Sequence, residues 1–412
     1  MRISLLTIGD ELLRGKTVNT NAAFLGEALQ SLGVEPQSCL TVPDRPDAIR
    51  RALNWLLPQS DIIITSGGLG STGDDLSREA IAAELGLPLE SHPDAAEQLR
   101  LFLAQKTRPP ELIAKIMRQA LAPVGAEIMP NAAGTAPGLW ISHPNGRQYV
   151  AMLPGPPREL HPMTENYLLP RLRRLISGPD LHTRLYYVAY ASELWVEEQV
   201  LELLANEPAD SIIPAYCADL DHVKLFLSGH DREQVERLAT RVEQCFGKQL
   251  LRAGCTSMPT EMVDLLRERK WHLSTAESCT GGLIAASITD IAGSSDVFDG
   301  SIVSYSNRIK NEQLDVAEEI LRDHGAVSAE CVTAMVNNLC RKFKTETGIA
   351  VSGIAGPGGG SAEKPVGLVY IAVRAGDRFK VQKCHFPGTR DSVRRHTVSA
   401  AWFALRELLL QD

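Results

Sequence analysis

Three isoleucines stand in a row in Asp61-Ile62-Ile63-Ile64-Thr65. Successive side chains of a strand point to opposite faces, so an unbroken apolar run suits only a strand covered on both sides, as in a layered α/β sheet. The run passes straight into Ser66-Gly67-Gly68-Leu69-Gly70-Ser71-Thr72-Gly73-Asp74-Asp75, and helical spacing resumes over residues 78–85. Strand, glycine-rich loop and helix, in that order, form the junction where open α/β sheets hold ligands.

The chain has 412 residues, too many for one ordinary core, and two or three domains are expected. Residues 1–174 alternate strand-like runs (2–8, 61–65, 149–153) with helical ones (21–31, 78–85), which predicts an α/β domain. Residues 175–250 predict a small α+β unit, with strands at 183–189 and 222–227 and helices at 193–204 and 231–246. This middle unit carries no obvious chemistry and reads as a spacer or docking module. Residues 251–412 predict a second α/β domain. Its strands fall at 271–275, 299–305, 349–352 and 366–373, and its helices at 260–269, 281–291, 311–316, 330–342 and 391–410.

Apolar residues make up 44% and charged residues 22%, which excludes wholesale disorder. The 42 Lys and Arg against 50 Asp and Glu give a net charge of −8, and no basic run exists. Non-specific nucleic-acid binding needs clustered cations and is therefore disfavoured. No run approaches the roughly 18 apolar residues of a membrane span, and residues 1–13 lack a signal-peptide pattern. The 8 cysteines include no CxxC pair, so neither a zinc ribbon nor a disulfide framework is expected. A reduced, cytoplasmic enzyme is the resulting expectation.

In the loop at 66–75, four glycines in eight positions (Gly67, Gly68, Gly70, Gly73) let a ligand approach backbone N–H groups. Asp74 and Asp75 either cap the following helix or hold a hard divalent cation. The loop is neither a Walker loop nor GxGxxG after the first strand. Thr7-Ile8-Gly9-Asp10-Glu11, the small-residue loop from Asn131 to Gly138, and Leu153-Pro154-Gly155-Pro156-Pro157 all end or follow strands and are expected at the same sheet edge. Together these pieces resemble the molybdopterin-binding domain of cofactor-biosynthesis proteins. They are closer still to the N-terminal domain of the competence/damage-inducible CinA family, where the loop usually reads GGLGPTxDD; here Ser71 replaces the proline. The resemblance implies a site for a phosphorylated nucleotide-like or pterin-like ligand at Gly67, Gly68, Gly70, Thr72, Asp10, Asn131 and Gly155. It implies Asp74 and Asp75 as ligands of a divalent metal. Some members of the family split ADP-ribose with such a metal; the alternative is a molybdopterin-related binding or scaffold domain without catalysis.

Ala276-Glu277-Ser278-Cys279-Thr280-Gly281-Gly282 lies between a strand and an Ala-rich helix, where a nucleophile is exposed beside N–H groups. It is not GxSxG, and no histidine sits in a small-residue motif. Ser278 and Cys279 are both candidate nucleophiles. A lysine base suits the serine, and Lys310 lies five residues past Tyr305, across a turn, within reach of the same cleft. The most glycine-rich run, from Val351 to Ser361, leaves a strand and suits phosphate or ribose recognition through Gly353, Gly356, Gly358 and Gly359. Arg390 and Arg394 begin the last helix, where they can meet a phosphate.

AESCTGG, DIAGSS, SYSN and SGIAGPGGGSAEKPVG occur in this order, and together they resemble the C-terminal domain of the CinA family and the stand-alone nicotinamide-nucleotide amidases. Ser304 replaces the more usual threonine or valine before Tyr305. The resemblance implies deamidation of nicotinamide mononucleotide to nicotinate mononucleotide, with Ser278 as nucleophile, Lys310 as base and Tyr305 as supporting hydroxyl. No cofactor is expected for that step, and N–H groups near Thr280 and Gly281 are the expected oxyanion donors. The resemblance also implies a homodimer, and a KH-like middle unit. No GXXG occurs between residues 183 and 246, so nucleic acid is not an expected partner. The fold expected as a whole is two three-layer α/β domains joined by a small α+β middle domain.

Overall fold

The computed structural model describes residues 1–30, 32–73, 75–104, 109–176, 181–205 and 211–411. It divides into two compact units, Met1–Leu181 and His182–Asp412.

The first unit contains β1 (Ile3–Ile8), β2 (Pro36–Val42), β3 (Ile62–Ser66), β4 (Leu89–Ser91), β5 (Leu121–Pro123), β6 (Glu127–Met129), β7 (Gly138–Ser142) and β8 (Tyr149–Leu153). β4 and β5 pair as a small ribbon, and the others form a sheet in the order β2-β1-β3-β8-β7-β6. The pairs β1–β2, β1–β3 and β3–β8 are parallel, whereas β7 is antiparallel to its neighbours. The isoleucine run explains the layering. Ile63 joins Leu6, Val150 and Met152 in one hydrophobic cluster, completed by Ile49 and Leu53 of the helix Pro46–Leu56. Ile62 and Ile64 join Ile3, Leu5 and Leu153 in a second cluster with Leu25 and Leu29 of the helix Thr20–Gln30. Both sheet faces are thus covered, the condition that a continuous apolar strand imposes.

In the second unit, β9 (His182–Ala189), β10 (Ile213–Ala218) and β11 (His222–Gly229) form an antiparallel sheet in the order β10-β11-β9. The helices Glu193–Leu204 and Arg232–Phe246 cover it through Val196, Val200, Leu238 and Val242, and it has its own hydrophobic cluster. The remaining strands are β12 (Leu273–Glu277), β13 (Phe298–Val303), β14 (Thr347–Gly353), β15 (Leu368–Ala375) and β16 (Arg378–His385), ordered β13-β12-β14-β15-β16. β12 is an interior strand, second from the edge, and parallel to both neighbours. The face carrying Ile349 and Val351 packs on Ala401, Leu405 and Leu408 of the helix Arg390–Leu409. Ala276 and Ala350, on the other face, meet Val332, Met335 and Val336 of the helix Ala329–Phe343.

Two boundaries differ from the sequence reading in ways that matter. The strand expected at 271–275 ends at Glu277, so Ser278 is the first residue beyond it. The helix expected at 311–316 is Asn307–Leu314, with the Ser306 hydroxyl accepting from the Ile309 N–H at 3.3 Å, so Lys310 stands on a helix instead of in a turn. No helix among the described residues is long and apolar enough to cross a membrane.

One buried ion pair ties residues 248–250 to the helices of this unit. Arg406 Nε donates to Glu261 Oε2 at 2.5 Å, and Arg406 also donates to the carbonyls of Lys248 (2.5 Å) and Leu250 (2.7 Å). The two side chains are 4% and 0% exposed, so neither charge can be left to water. Removing one partner of a buried pair strands the other charge, at a cost of about 3–5 kcal/mol. Glu261→Ala should therefore lower the urea midpoint of this unit markedly, followed by circular dichroism; a midpoint within experimental error of wild type would show that the pair is not a determinant of stability.

Candidate active site

β12 is buried along its whole length, and its pairing with β13 and β14 runs through Glu277. Ser278 leaves the sheet at this end, and its N–H donates to Val351 O at 3.1 Å. Gly282 then adopts φ 99° as it enters the helix Leu283–Thr289, a conformation that a side chain would disfavour.

Lys310 approaches from the helix Asn307–Leu314 and is 1% exposed. Its Nζ donates to Ser278 Oγ at 2.9 Å and to Ser304 O at 2.6 Å. No carboxylate among the described residues forms an ion pair with it. Loss of hydration pushes its amine below the ordinary lysine range, against a smaller opposing pull from the Cys331 and Cys279 thiols. The arrangement therefore favours an uncharged amine in contact with a serine hydroxyl. Cys279, adjacent to Ser278, is buried, and burial pushes its thiol up to about 12.

A cavity of about 270 Å³ opens over Ser278 and Lys310. Tyr305, Gly353, Gly356, Gly358, Gly359 and Arg390 also line it, as does Cys279. Tyr305 is exposed, and its hydroxyl accepts from Arg390 Nη2 at 2.9 Å, while Arg390 Nη1 donates to Gly356 O at 2.8 Å. Thus Tyr305 is joined to Arg390 and has no hydrogen bond to the serine or the lysine. Thr280, Gly281 and Arg394, read from sequence as substrate contacts, are not among the lining residues. Arg394 Nη2 donates to Thr280 O at 2.7 Å and braces the turn from behind.

The sequence reading overlooked one segment of the cavity wall, Ala326 and Val327. It is held by Ser352 Oγ on Ala326 O (2.7 Å) and by Lys364 Nζ on Val327 O (2.8 Å). The Glu363-Lys364-Pro365 stretch was the available signal. Glu277 was overlooked too. Fully buried, it accepts from the N–H groups of Gly282 (2.9 Å), Ile284 (3.1 Å) and Ala285 (2.8 Å).

In the first unit, a cavity of about 330 Å³ lies beyond the ends of β1 and β3, lined by Gly67 and Gly155 together with Glu11, Asn21 and Ser66. Gly67 cannot carry a side chain, since a Cβ would lie 2.2 Å from Ile8 O. Asn21, absent from the sequence reading, donates to Ser66 Oγ (2.9 Å) and Gly155 O (2.7 Å), and its buried Oδ1 has no partner. The other expected residues are placed differently. Asp10 binds Arg14 at 2.5 Å, and its neighbour Glu11 faces the cavity instead. Asn131 is a tether, donating to Ala136 O (2.8 Å) and Glu159 Oε2 (2.7 Å). Gly68 and Gly70 pack on the side chains of Ser77 and Asp75.

Asp74 lies outside the described residues. The Asp75 carboxylate folds back to accept from the Thr72 N–H (2.8 Å) and hydroxyl. Among the described residues the loop therefore gathers no metal-ligand set. Among the described residues, the group of side chains spaced so that they could hold an ion is instead in the second unit: Asp219, Asp221 and His222, at the turn between β10 and β11.

Comparison with known proteins gives two matches to described families. Residues 4–174 match the "Probable molybdopterin binding domain" and residues 255–409 the "CinA C-terminal domain". Over its full length the chain is 39% identical to a protein of Moorella thermoacetica named competence-damage inducible, covering 100% of both. It is 35% identical to a CinA-like protein of Dictyoglomus thermophilum, again covering 100% of both. A solved structure of a competence/damage inducible protein from Agrobacterium tumefaciens is 40% identical over 37% of this chain and 94% of its own, with a TM-score of 0.37.

The thiol environments predict a chemical pattern. Cys217 and Cys245 are exposed, whereas Cys279 is buried with a thiol near 12. Burial thus keeps Cys279 as the thiol and away from the thiolate, the reactive form. Native protein treated with iodoacetamide should be modified at Cys217 and Cys245 and spared at Cys279 until denaturant is added, as read by peptide mass spectrometry. Rapid native modification of Cys279 would reopen the choice of nucleophile.

Proposed function

The chain belongs to the family of CinA-like, competence-damage inducible proteins, and from that premise we propose that its second unit hydrolyses the carboxamide of nicotinamide mononucleotide to nicotinate mononucleotide and ammonia. The observation that carries this reading is the 2.9 Å contact between Lys310 Nζ and Ser278 Oγ, made by a buried lysine that has no described carboxylate partner. An amine held neutral can take the serine proton, and a Ser–Lys pair of this kind needs no histidine.

In this mechanism Lys310 removes the Ser278 proton as Oγ attacks the carboxamide carbon. The ammonium so formed returns the proton to the amide nitrogen, and ammonia leaves. An acyl-enzyme remains. Water attacks it, Lys310 takes the water proton and hands it to Ser278 Oγ, and the product carboxylate departs. The developing oxyanion needs N–H donors. Those of Gly282, Ile284 and Ala285 are occupied by Glu277, which leaves Cys279, Thr280 and Gly281 in the turn; of these Cys279 borders the cavity and is the donor assigned to the oxyanion. Arg390 in the cavity wall supplies the cation for the substrate phosphate, and the 356–359 loop offers close backbone approach to the ribose.

A second reading concerns the first unit. The unpartnered Asn21 Oδ1 beside Gly67 and Gly155 favours a ligand with donor groups, and we assign this cavity to a phosphorylated nucleotide or pterin, with ADP-ribose the compound to test. Asn21→Ala should weaken ADP-ribose binding about tenfold, the scale of one or two lost hydrogen bonds, by titration calorimetry. Unchanged affinity would remove Asn21 from the site, and no binding by wild type would remove the assignment.

For the amidase, ammonia release under saturating nicotinamide mononucleotide should fall by about 10⁴-fold or more in Ser278→Ala and nearly as far in Lys310→Ala, with the double variant little worse because the two act as a unit. Only the neutral amine is a base. Turnover should thus rise with pH to a plateau, with a midpoint below lysine's ordinary 10.5 because burial lowers the Lys310 pKa. Near-wild-type turnover in folded Ser278→Ala would exclude the mechanism, and a midpoint at or above 10.5 would exclude Lys310 as its base.

A further inference from the structure

We propose that Glu277 is a positioning residue for the nucleophile: its carboxylate clamps the turn that carries Ser278 and reserves the turn's remaining N–H groups for the oxyanion. The inference rests on the reading of Ser278 as nucleophile, not on the identity of the substrate.

The first N–H groups of a helix have no partner within it. The helix Leu283–Thr289 has Gly282 at its N-cap, which offers no side chain to accept them. Glu277 does so from outside. Oε2 accepts from Gly282 and Ile284, Oε1 accepts from Ala285, and the side chain is 0% exposed. The strand end and the helix start are thereby closed into a ring with Ser278 inside it. The backbone of the same residue serves the other half of the pair. Glu277 O accepts from the Ser304 N–H at 2.8 Å, and Ser304 O accepts from Lys310 Nζ at 2.6 Å. One residue therefore sets the separation of Ser278 Oγ from Lys310 Nζ from both sides.

A buried carboxylate held by three N–H donors and, at 3.5 Å, by the Thr275 hydroxyl does not need to be a base, and this one makes no hydrogen bond to Ser278 Oγ or Lys310 Nζ. Its role acts through the turn. Glu277→Gln keeps the shape but turns an NH₂ toward N–H donors, breaking at least one bond and loosening the ring. A displacement of about 1 Å at a reacting atom costs on the order of 10²-fold in rate.

The test uses the full-length protein with two readouts: steady-state deamidation of nicotinamide mononucleotide, and labelling of Ser278 by a fluorophosphonate, which requires the activated serine but no particular substrate. Glu277→Gln should lower kcat and the labelling rate together by about 10²-fold, with KM within about twofold of wild type. Glu261→Gln is the control, a buried carboxylate of the same unit away from the turn; it should lower the melting temperature and leave both rates unchanged at 25 °C. Wild-type rates in folded Glu277→Gln, or equal losses in the control, overturn the proposal. If wild type is labelled at Ser278 but releases no ammonia, the substrate reading fails while the labelling ratio still decides the role of Glu277. Should the variant not fold, amide exchange in the wild type decides: Gly282, Ile284 and Ala285 must be protected well above Cys279, Thr280 and Gly281, and equal exchange overturns the clamp.

Discussion

An amine taken out of water without a counter-ion is the constraint around which the second unit is arranged. Lys310 could have been neutralised by an acid, and the unit has room for such pairs: Arg406 and Glu261 form one at 2.5 Å in its interior. Around Lys310 the acceptors are a hydroxyl and a carbonyl, both uncharged. Burial of an unpaired amine works against stability whenever the amine is protonated, so the fold biases it toward the neutral form. A neutral amine touching a serine has a proton-accepting lone pair, which is what a nucleophile's base requires. These two buried cationic side chains thus differ in kind, Arg406 compensated by a carboxylate and Lys310 uncompensated and proposed as the base.

The sheet makes that burial feasible. Ser278 leaves the central strand of three parallel neighbours, where β13 and β14 flank it. Lys310 stands four residues into a helix that starts just beyond β13, close enough for its long side chain to cross over the strand end. Both residues therefore depend on strand ends, and not on the glycine-rich loop. The glycine-rich run from residue 353 to 360 then needs only to shape the cavity, and Arg390 fastens it through Gly356 O.

Much of this frame was legible in the sequence, for identifiable reasons. The strand Tyr149–Leu153 and the helix Glu193–Leu204 match the sequence pattern residue for residue, because full burial or a regular apolar stripe leaves little choice. The edge strands β2 and β16 were invisible. Each has one wet face, begins or continues with residues such as Pro36, Gln37, Arg378 and Lys380, and shows no apolar run. The helix Asn307–Leu314 was read four residues late, since Ile309 and Leu314 are its only large apolar residues and its true signal is the Ser306 cap. In the site, composition could nominate glycines and arginines but not sort them. Arg390 and Arg394 are one helical turn apart and equal on paper, yet one faces the cavity while the other braces Thr280.

Glu277 shows why some functional residues escape any local reading. A glutamate ending an apolar strand, next to a serine, looks like a solvent-facing charge or a catalytic acid. Its main partners are three backbone N–H groups five to eight residues later, and these become neighbours only after two glycines have turned the chain back. The same turn explains why Gly281 and Gly282 accompany Ser278. Their left-handed backbone brings the helix start beneath the strand end, where Glu277 can reach it. Glycines, glutamate and serine are therefore a single mechanical element: the glycines make the turn, the carboxylate locks it, and the serine is held where the lysine already stands.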